Sequence, residues 1–99
     1  MPKHKIYLSG KITGMENEAH YVFQNAEENL QKLYPDSEFI NPMKLNHNHN
    51  KKWESYMKVC IIEPCKCDMI AMLPNWQDSR GAEMEMIIAS NLNLHVEFL

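Results

Sequence analysis

Long hydrophobic runs are missing from this chain: no apolar stretch approaches the roughly 20 residues that a membrane-spanning helix needs, which argues against a membrane partner. Cysteine is scarce and odd in number, at three. Three thiols make no disulfide framework, and they suit a reducing cytoplasm, the expected location. Basic charge is also in short supply. Ten Lys and Arg stand against 13 Asp and Glu, for a net charge of −3, whereas a nucleic-acid surface needs clustered cations. The small basic groups, Lys3, Lys5 and Lys11 near the start and Lys51-Lys52 further on, read as solvated faces. No repeat, low-complexity tract or linker interrupts the chain, and the opening Met1-Pro2-Lys3-His4-Lys5 leads into a strand-length run rather than the apolar region of a signal peptide.

What is there describes one domain, residues 1–99. That length supports one core and no second, and a hydrophobic fraction of 44% with 23% charged residues is ordinary for a globular protein. Ile6-Tyr7-Leu8 reads as a buried strand opening at Ser9-Gly10 into a loop that runs to Gly14. Glu16, Asn17 and Glu18 make a helix start, with acids at the positive end of the dipole. Ala19, Val22 or Phe23, Ala26, Leu30 and Leu33 then recur at helical spacing until Pro35. Glu38 to Asn41 is a short second strand ended by Pro42, and 43–50 is a polar loop. Residues 51–62 are expected to form a second helix, with Trp53, Tyr56 or Met57, Cys60 and Ile61 on one face, closed by Pro64. Asp68 to Leu73 is the clearest strand. A third helix from Ser79 to about Asn91 and a last strand, Leu94 to Phe98, complete the order β-α-β-α-β-α-β. Strands alternating with helices imply right-handed crossovers and a parallel sheet. The expected fold is therefore α/β: a single-domain parallel sheet of about four strands flanked by helices, flavodoxin- or Rossmann-like. Ligands of such sheets bind beyond the carboxyl ends of the strands, where the strand order reverses. That rule brings the loop 10–14 and the loop 74–81 to one rim.

One residue breaks the pattern. At about 100° per residue, Gly81, Ala82, Ile88, Ala89 and Leu92 fall within roughly a sixth of a turn of Glu85, on the face expected to pack against the sheet. An unpaired carboxylate there costs several kcal/mol by order of magnitude, so it should either open into a cleft or not lie on that face at all. Glu83 lies nearly opposite and poses no such problem. Glu85 is the first candidate for chemistry.

Three segments in order resemble a known family. Tyr7-Leu8-Ser9-Gly10-Lys11-Ile12-Thr13-Gly14, Asp68 opening its strand, and Ser79-Arg80-Gly81-Ala82-Glu83-Met84-Glu85 are similar to the nucleoside 2-deoxyribosyltransferase-like proteins. The spacing from Ser79 through Gly81 to Glu85 resembles the branch that hydrolyses 2'-deoxynucleoside 5'-monophosphates, and Leu73-Pro74-Asn75-Trp76 resembles small uncharacterised relatives. The resemblance covers nearly the whole chain. It implies cleavage of an N-glycosidic bond in a deoxynucleotide or deoxynucleoside, by hydrolysis or base exchange, without a cofactor. Glu85 would be the nucleophile that traps a cation-like sugar. Tyr7 would hydrogen-bond that carboxylate, or serve as a strand-core tyrosine. Ser79 and Gly81 match the residues that contact the 5'-phosphate, at a helix start whose free N–H groups favour an anion; an ordinary N-cap is the other reading of Ser79. Gly10, Ile12, Thr13 and Gly14 match the loop that wraps base and sugar, and Asp68 matches the strand aspartate of the motif. Trp76 fits stacking on a base, and equally a lid or a subunit contact.

Three departures stand beside these matches. Thr13 replaces an arginine of the nucleotide hydrolases. Cys60 occupies the place of an acid used by the transferases. The family also completes its site from a neighbouring subunit, partly beyond the last strand, and this sequence ends at Leu99. These departures keep open a catalytically inactive nucleotide- or nucleoside-binding module of the same fold. No metal is expected: Cys60, Cys65 and Cys67, with His47 and His49, lack a common zinc spacing, and small buried hydrophobes explain the cysteines better. Met84, Met86 and Ile87 make the last helix apolar nearly all round, which implies burial on two sides and a homodimer.

Overall fold

The computed structural model describes residues 4–12, 14–44 and 64–99. Over these residues the chain runs β1 (Lys5–Ser9), α1 (Glu16–Leu33), β2 (Glu38–Ile40), β3 (Met69–Met72), α2 (Arg80–Asn91) and β4 (His95–Phe98). The strands form one sheet in the order β2-β1-β3-β4, every pair parallel. A four-strand parallel sheet flanked by helices is the expected α/β fold. The helix read at 51–62, residues 45–50 of the loop read at 43–50, and Thr13 lie outside the described residues; Met43 and Lys44, read as the start of that loop, belong to a short 3-10 turn, Pro42–Lys44. Among the described residues no helix is long and apolar enough to cross a membrane.

The two central strands explain the two layers. Ile6 and Leu8 of β1, with Met69 and Ala71 of β3, point to one face and pack with Ala19, Phe23 and Leu30 of α1. Tyr7 of β1, with Ile70 and Met72 of β3, points to the other face and packs with Ala82 and Ala89 of α2. Both strands are thus buried on both faces, which is why each reads as a continuous apolar run instead of an alternating one. Phe23 is fully buried at the centre of the α1 layer, a contribution of about 1.5–3 kcal/mol relative to exposure. The outer strands are less enclosed: β2 has three residues and β4 four, and none of these is fully buried.

Helix ends follow from local chemistry. Helix α1 stops two residues before Pro35, as expected where proline excludes the preceding residue from helical geometry and supplies no N–H. At the start of α2 the Ser79 hydroxyl accepts the Ala82 N–H at 3.1 Å. At its end Asn93 adopts a left-handed φ of 61°. The Leu94 N–H reaches the Ala89 carbonyl at 2.9 Å and the Asn93 N–H reaches that of Ser90 at 3.2 Å, a closure that needs a residue tolerant of positive φ. The chain therefore turns back sharply into β4. Leu92, placed by angle on the inward face, caps the helix and is 51% exposed. Of the residues read as a second apolar face, Met86 packs inward against the α2-side core and Ile87 stands 53% exposed.

Candidate active site

Strands β1 and β3 lie side by side at the middle of the sheet, with Ser9 opposite Met72. Beyond them the chain diverges. From β1 it passes through α1 on one face to reach β2; from β3 it passes through α2 on the other face to reach β4. The carboxyl ends of β1 and β3 are thus the point where strand order reverses, the place where open parallel sheets bind ligands. The two rim loops are tied together there. The Leu73 N–H donates to the Ser9 carbonyl at 2.8 Å, and the Lys11 N–H donates to the Asn75 side-chain carbonyl at 3.1 Å.

Glu85 sits on the sheet-facing side of α2 with Gly81, Ala82 and Ala89. It is only 5% exposed. Both of its carboxylate oxygens are held by hydroxyls of β1: Tyr7 Oη donates to Oε2 at 2.8 Å, and Ser9 Oγ donates to Oε1 at 2.6 Å. Alternation along the strand puts Tyr7 and Ser9 on the same face, and their unequal lengths let two residues spaced two apart converge on one carboxylate. Burial dominates the electrostatics and pushes the Glu85 carboxyl up from 4.5 to about 7; the bonds from Ser9 and then Tyr7 pull in the opposite direction. A carboxyl poised there is ionised enough to attack as a nucleophile and protonated enough to release a proton at neutral pH. Each oxygen also keeps lone-pair capacity beyond the one bond it accepts.

The other residues expected at the site divide into two groups. Gly10 and Gly81 are at the rim, and both are buried. A Cβ on Gly10 would lie 2.9 Å from Leu73 Cβ and 3.1 Å from Asn75 Oδ1; the close approach of the two loops requires glycine there. Gly14 holds a φ of +87° and is exposed. Ser79, half-buried, caps α2. Trp76 lies in the rim loop with its ring 5.7 Å from that of Phe98, centre to centre, and packs on the α2-side core.

Ile12 and Asp68 are placed elsewhere. The Ile12 side chain packs against the α1-side core, on the opposite face of the sheet from Glu85. Asp68 precedes β3, so it stands at the amino edge of the sheet, where its exposed carboxylate accepts the Lys5 N–H at 3.0 Å. A residue that opens a parallel strand is a full strand length from the carboxyl edge, so Asp68, matched by motif to the family's strand aspartate, stands apart from Glu85. Thr13 and Cys60 lie outside the described residues. A separate cavity of about 270 Å³, lined in part by Val22, Leu30, Leu33, Pro74 and Leu99, lies along α1 and contains none of the Glu85 cluster. Among the described residues no group of three or more His, Cys, Asp or Glu is arranged to hold a metal ion.

Two residues escaped the sequence reading. Ser9 is buried and directly bonded to Glu85; its signal was its position two residues after Tyr7, on the same strand face and nearer the rim. Asn75 stitches the rim, bonding Lys11 and reaching Met15 Sδ at 3.6 Å. Its only local sign was a polar residue between a strand and a helix.

Residues 4–98 match the family described as a domain of unknown function (DUF4406), and the chain belongs to that family. No curated protein matches it.

Proposed function

We propose that this chain cleaves the N-glycosidic bond of a 2'-deoxynucleoside 5'-monophosphate or a deoxynucleoside, with Glu85 as nucleophile. One observation carries the reading: a buried carboxylate at the carboxyl edge of the central strands, held through both oxygens by Tyr7 and Ser9. The similarity of the segments around Tyr7, Ser79 and Glu85 to the nucleoside 2-deoxyribosyltransferase-like proteins supports it and supplies the substrate class.

In the proposed reaction an ionised Glu85 oxygen bonds to C1' as the bond from C1' to the base nitrogen breaks. The bonding pair leaves with the base, which takes up a proton. Water, or the nitrogen of a second base, then attacks C1', loses a proton that balances the one taken up by the leaving base, and frees the carboxylate. Water as acceptor gives net hydrolysis: one water is consumed, and free base and the deoxyribose product appear. Tyr7 and Ser9 hold the carboxylate in one orientation throughout, so the attacking oxygen is aligned before the substrate arrives. The absence of a 2'-hydroxyl on the sugar makes the cation-like transition state easier to reach.

The test is release of free base from a panel of deoxynucleoside monophosphates and nucleosides, followed by chromatography. Glu85→Gln is expected to abolish release while substrate binding stays measurable. Release at the parent rate by that variant removes Glu85 from the chemistry. A second reading, a binding module without catalysis, is favoured by the same burial: Glu85 is almost entirely enclosed and bonded within the chain. Saturable binding without release of base from any member of the panel would select it.

A further inference from the structure

We infer that Ser9 is a positioning residue for this site: together with Tyr7 its hydroxyl clamps the Glu85 carboxylate and favours its charged form. The inference rests on Glu85 being the working group. Ser9 is 1% exposed. A serine has one O–H to donate, and Ser9 commits it to Glu85 Oε1 at 2.6 Å, within the short range of hydrogen bonds to an ionised oxygen. At the last position of β1 it is the side chain that secures the carboxylate nearest the rim, while Tyr7 secures the other oxygen from deeper in the strand.

Among the described residues the surroundings isolate this effect. From β1 the titratable neighbour is Tyr7. The inward residues of β3, Ile70 and Met72, carry no charge, and Cys67 is the buried thiol of the same core layer. On α2 itself Arg80 and Glu83 are exposed, as are Asp78 before it and Cys65 and Lys66 beyond the amino edge of β3. On β4, His95 and Glu97 pair with each other at 3.2 Å. Among the described residues, then, burial opposes the charged form of Glu85 and two hydroxyls support it, with Ser9 the larger of the two. Removing the Ser9 donor leaves burial less opposed.

The experiment is a carbon-13 NMR titration of the Glu85 side-chain carboxyl in the full chain, the resonance being assigned by its disappearance in Glu85→Gln. The parent is expected to titrate near 7. A hydrogen bond to a charged group translates into a midpoint about one pH unit higher in Ser9→Ala, roughly a tenfold gain in proton affinity. An unchanged midpoint in folded Ser9→Ala overturns the inference. Should that variant fail to fold, Ser9→Cys, nearly isosteric with a weaker donor, is expected to shift in the same direction by less, and an unchanged or lowered midpoint there overturns it equally. Where base release is measurable, the acid limb of its pH profile moves up with the midpoint. Where the parent releases no base, the glycosidase reading fails while the titration still decides the role of Ser9.

Discussion

Replacing Glu85 by glutamine is expected to make the protein more stable at neutral pH, and by an amount that grows with pH. An isolated glutamate titrates near 4.5, and burial raises Glu85 to about 7. Below the lower value both the folded and the unfolded chain carry the proton, and the site costs nothing. Between the two values the unfolded chain has released the proton while the folded chain retains it, so stability falls as pH rises. Above the upper value both states are ionised and the full cost is present. At about 1.4 kcal/mol per pH unit, the interval between 4.5 and about 7 corresponds to about 3 kcal/mol.

Glutamine has nearly the same shape and no charge at any pH. Its carbonyl accepts from one of the two hydroxyls, and its amide donates to the other once that hydroxyl rotates. Urea unfolding of parent and Glu85→Gln, from about pH 4 to about pH 8, isolates the effect, because every other titrating group contributes equally to both proteins. The two are expected to be close at the acid end. The variant should gain about 3 kcal/mol relative to the parent by the alkaline end, a difference of about 10 °C or more in Tm for a domain this small. A stability difference that stays constant over the range would refute the reasoning, since a constant offset reports packing and not ionisation.

Two further substitutions test the frame around the site. Gly10→Ala places a Cβ 2.9 Å from Leu73 Cβ and 3.1 Å from Asn75 Oδ1, and is expected to lower unfolding free energy by about 1–3 kcal/mol; unaltered stability would mean the rim loops are not packed as tightly as these distances require. Ser79→Ala removes the acceptor for the Ala82 N–H and is expected to cost about 1 kcal/mol in the same assay; no loss would show that the cap contributes nothing to α2.

Much of this architecture is legible in the sequence because the physics that builds it is local. Strands β1 and β3 announce themselves as continuous apolar runs, since both are covered on two faces. Helix α1 is written in the spacing of Ala19, Phe23, Ala26 and Leu30, of which Ala19, Phe23 and Leu30 are fully buried and Ala26 packs against the same layer. Glu85 is legible for the opposite reason, as a violation of the helical pattern at a position that must face the sheet. Ser9 is not legible in this way. Its partner is 76 residues distant in the chain, and a small polar residue at the end of an apolar run reads as punctuation. The place of Asp68 follows from strand polarity and not from similarity of motif: a residue that precedes β3 belongs to the amino edge, whatever its chemistry. The ring of Trp76 had three plausible uses in sequence, and only the fold brings Phe98 against it.

The three residues of the cluster also argue for each other. A leucine at position 85 would remove about 3 kcal/mol of electrostatic cost at neutral pH, a large fraction of the 5–15 kcal/mol typical of a whole domain. It would also take from the Ser9 hydroxyl the acceptor it now bonds, in a core where an unpaired polar group costs about 1–3 kcal/mol. If architecture alone were served, phenylalanine at 7 and alanine at 9 with leucine at 85 would fill the same layer with no buried charge and no orphaned donor. The chain carries the costlier arrangement instead, in three residues from two distant segments, at the edge where parallel sheets bind ligands. A destabilising carboxylate held through both oxygens at the edge where parallel sheets bind ligands is what a site for chemistry looks like, and that is the physical ground on which Glu85, Tyr7 and Ser9 should be tested as one unit.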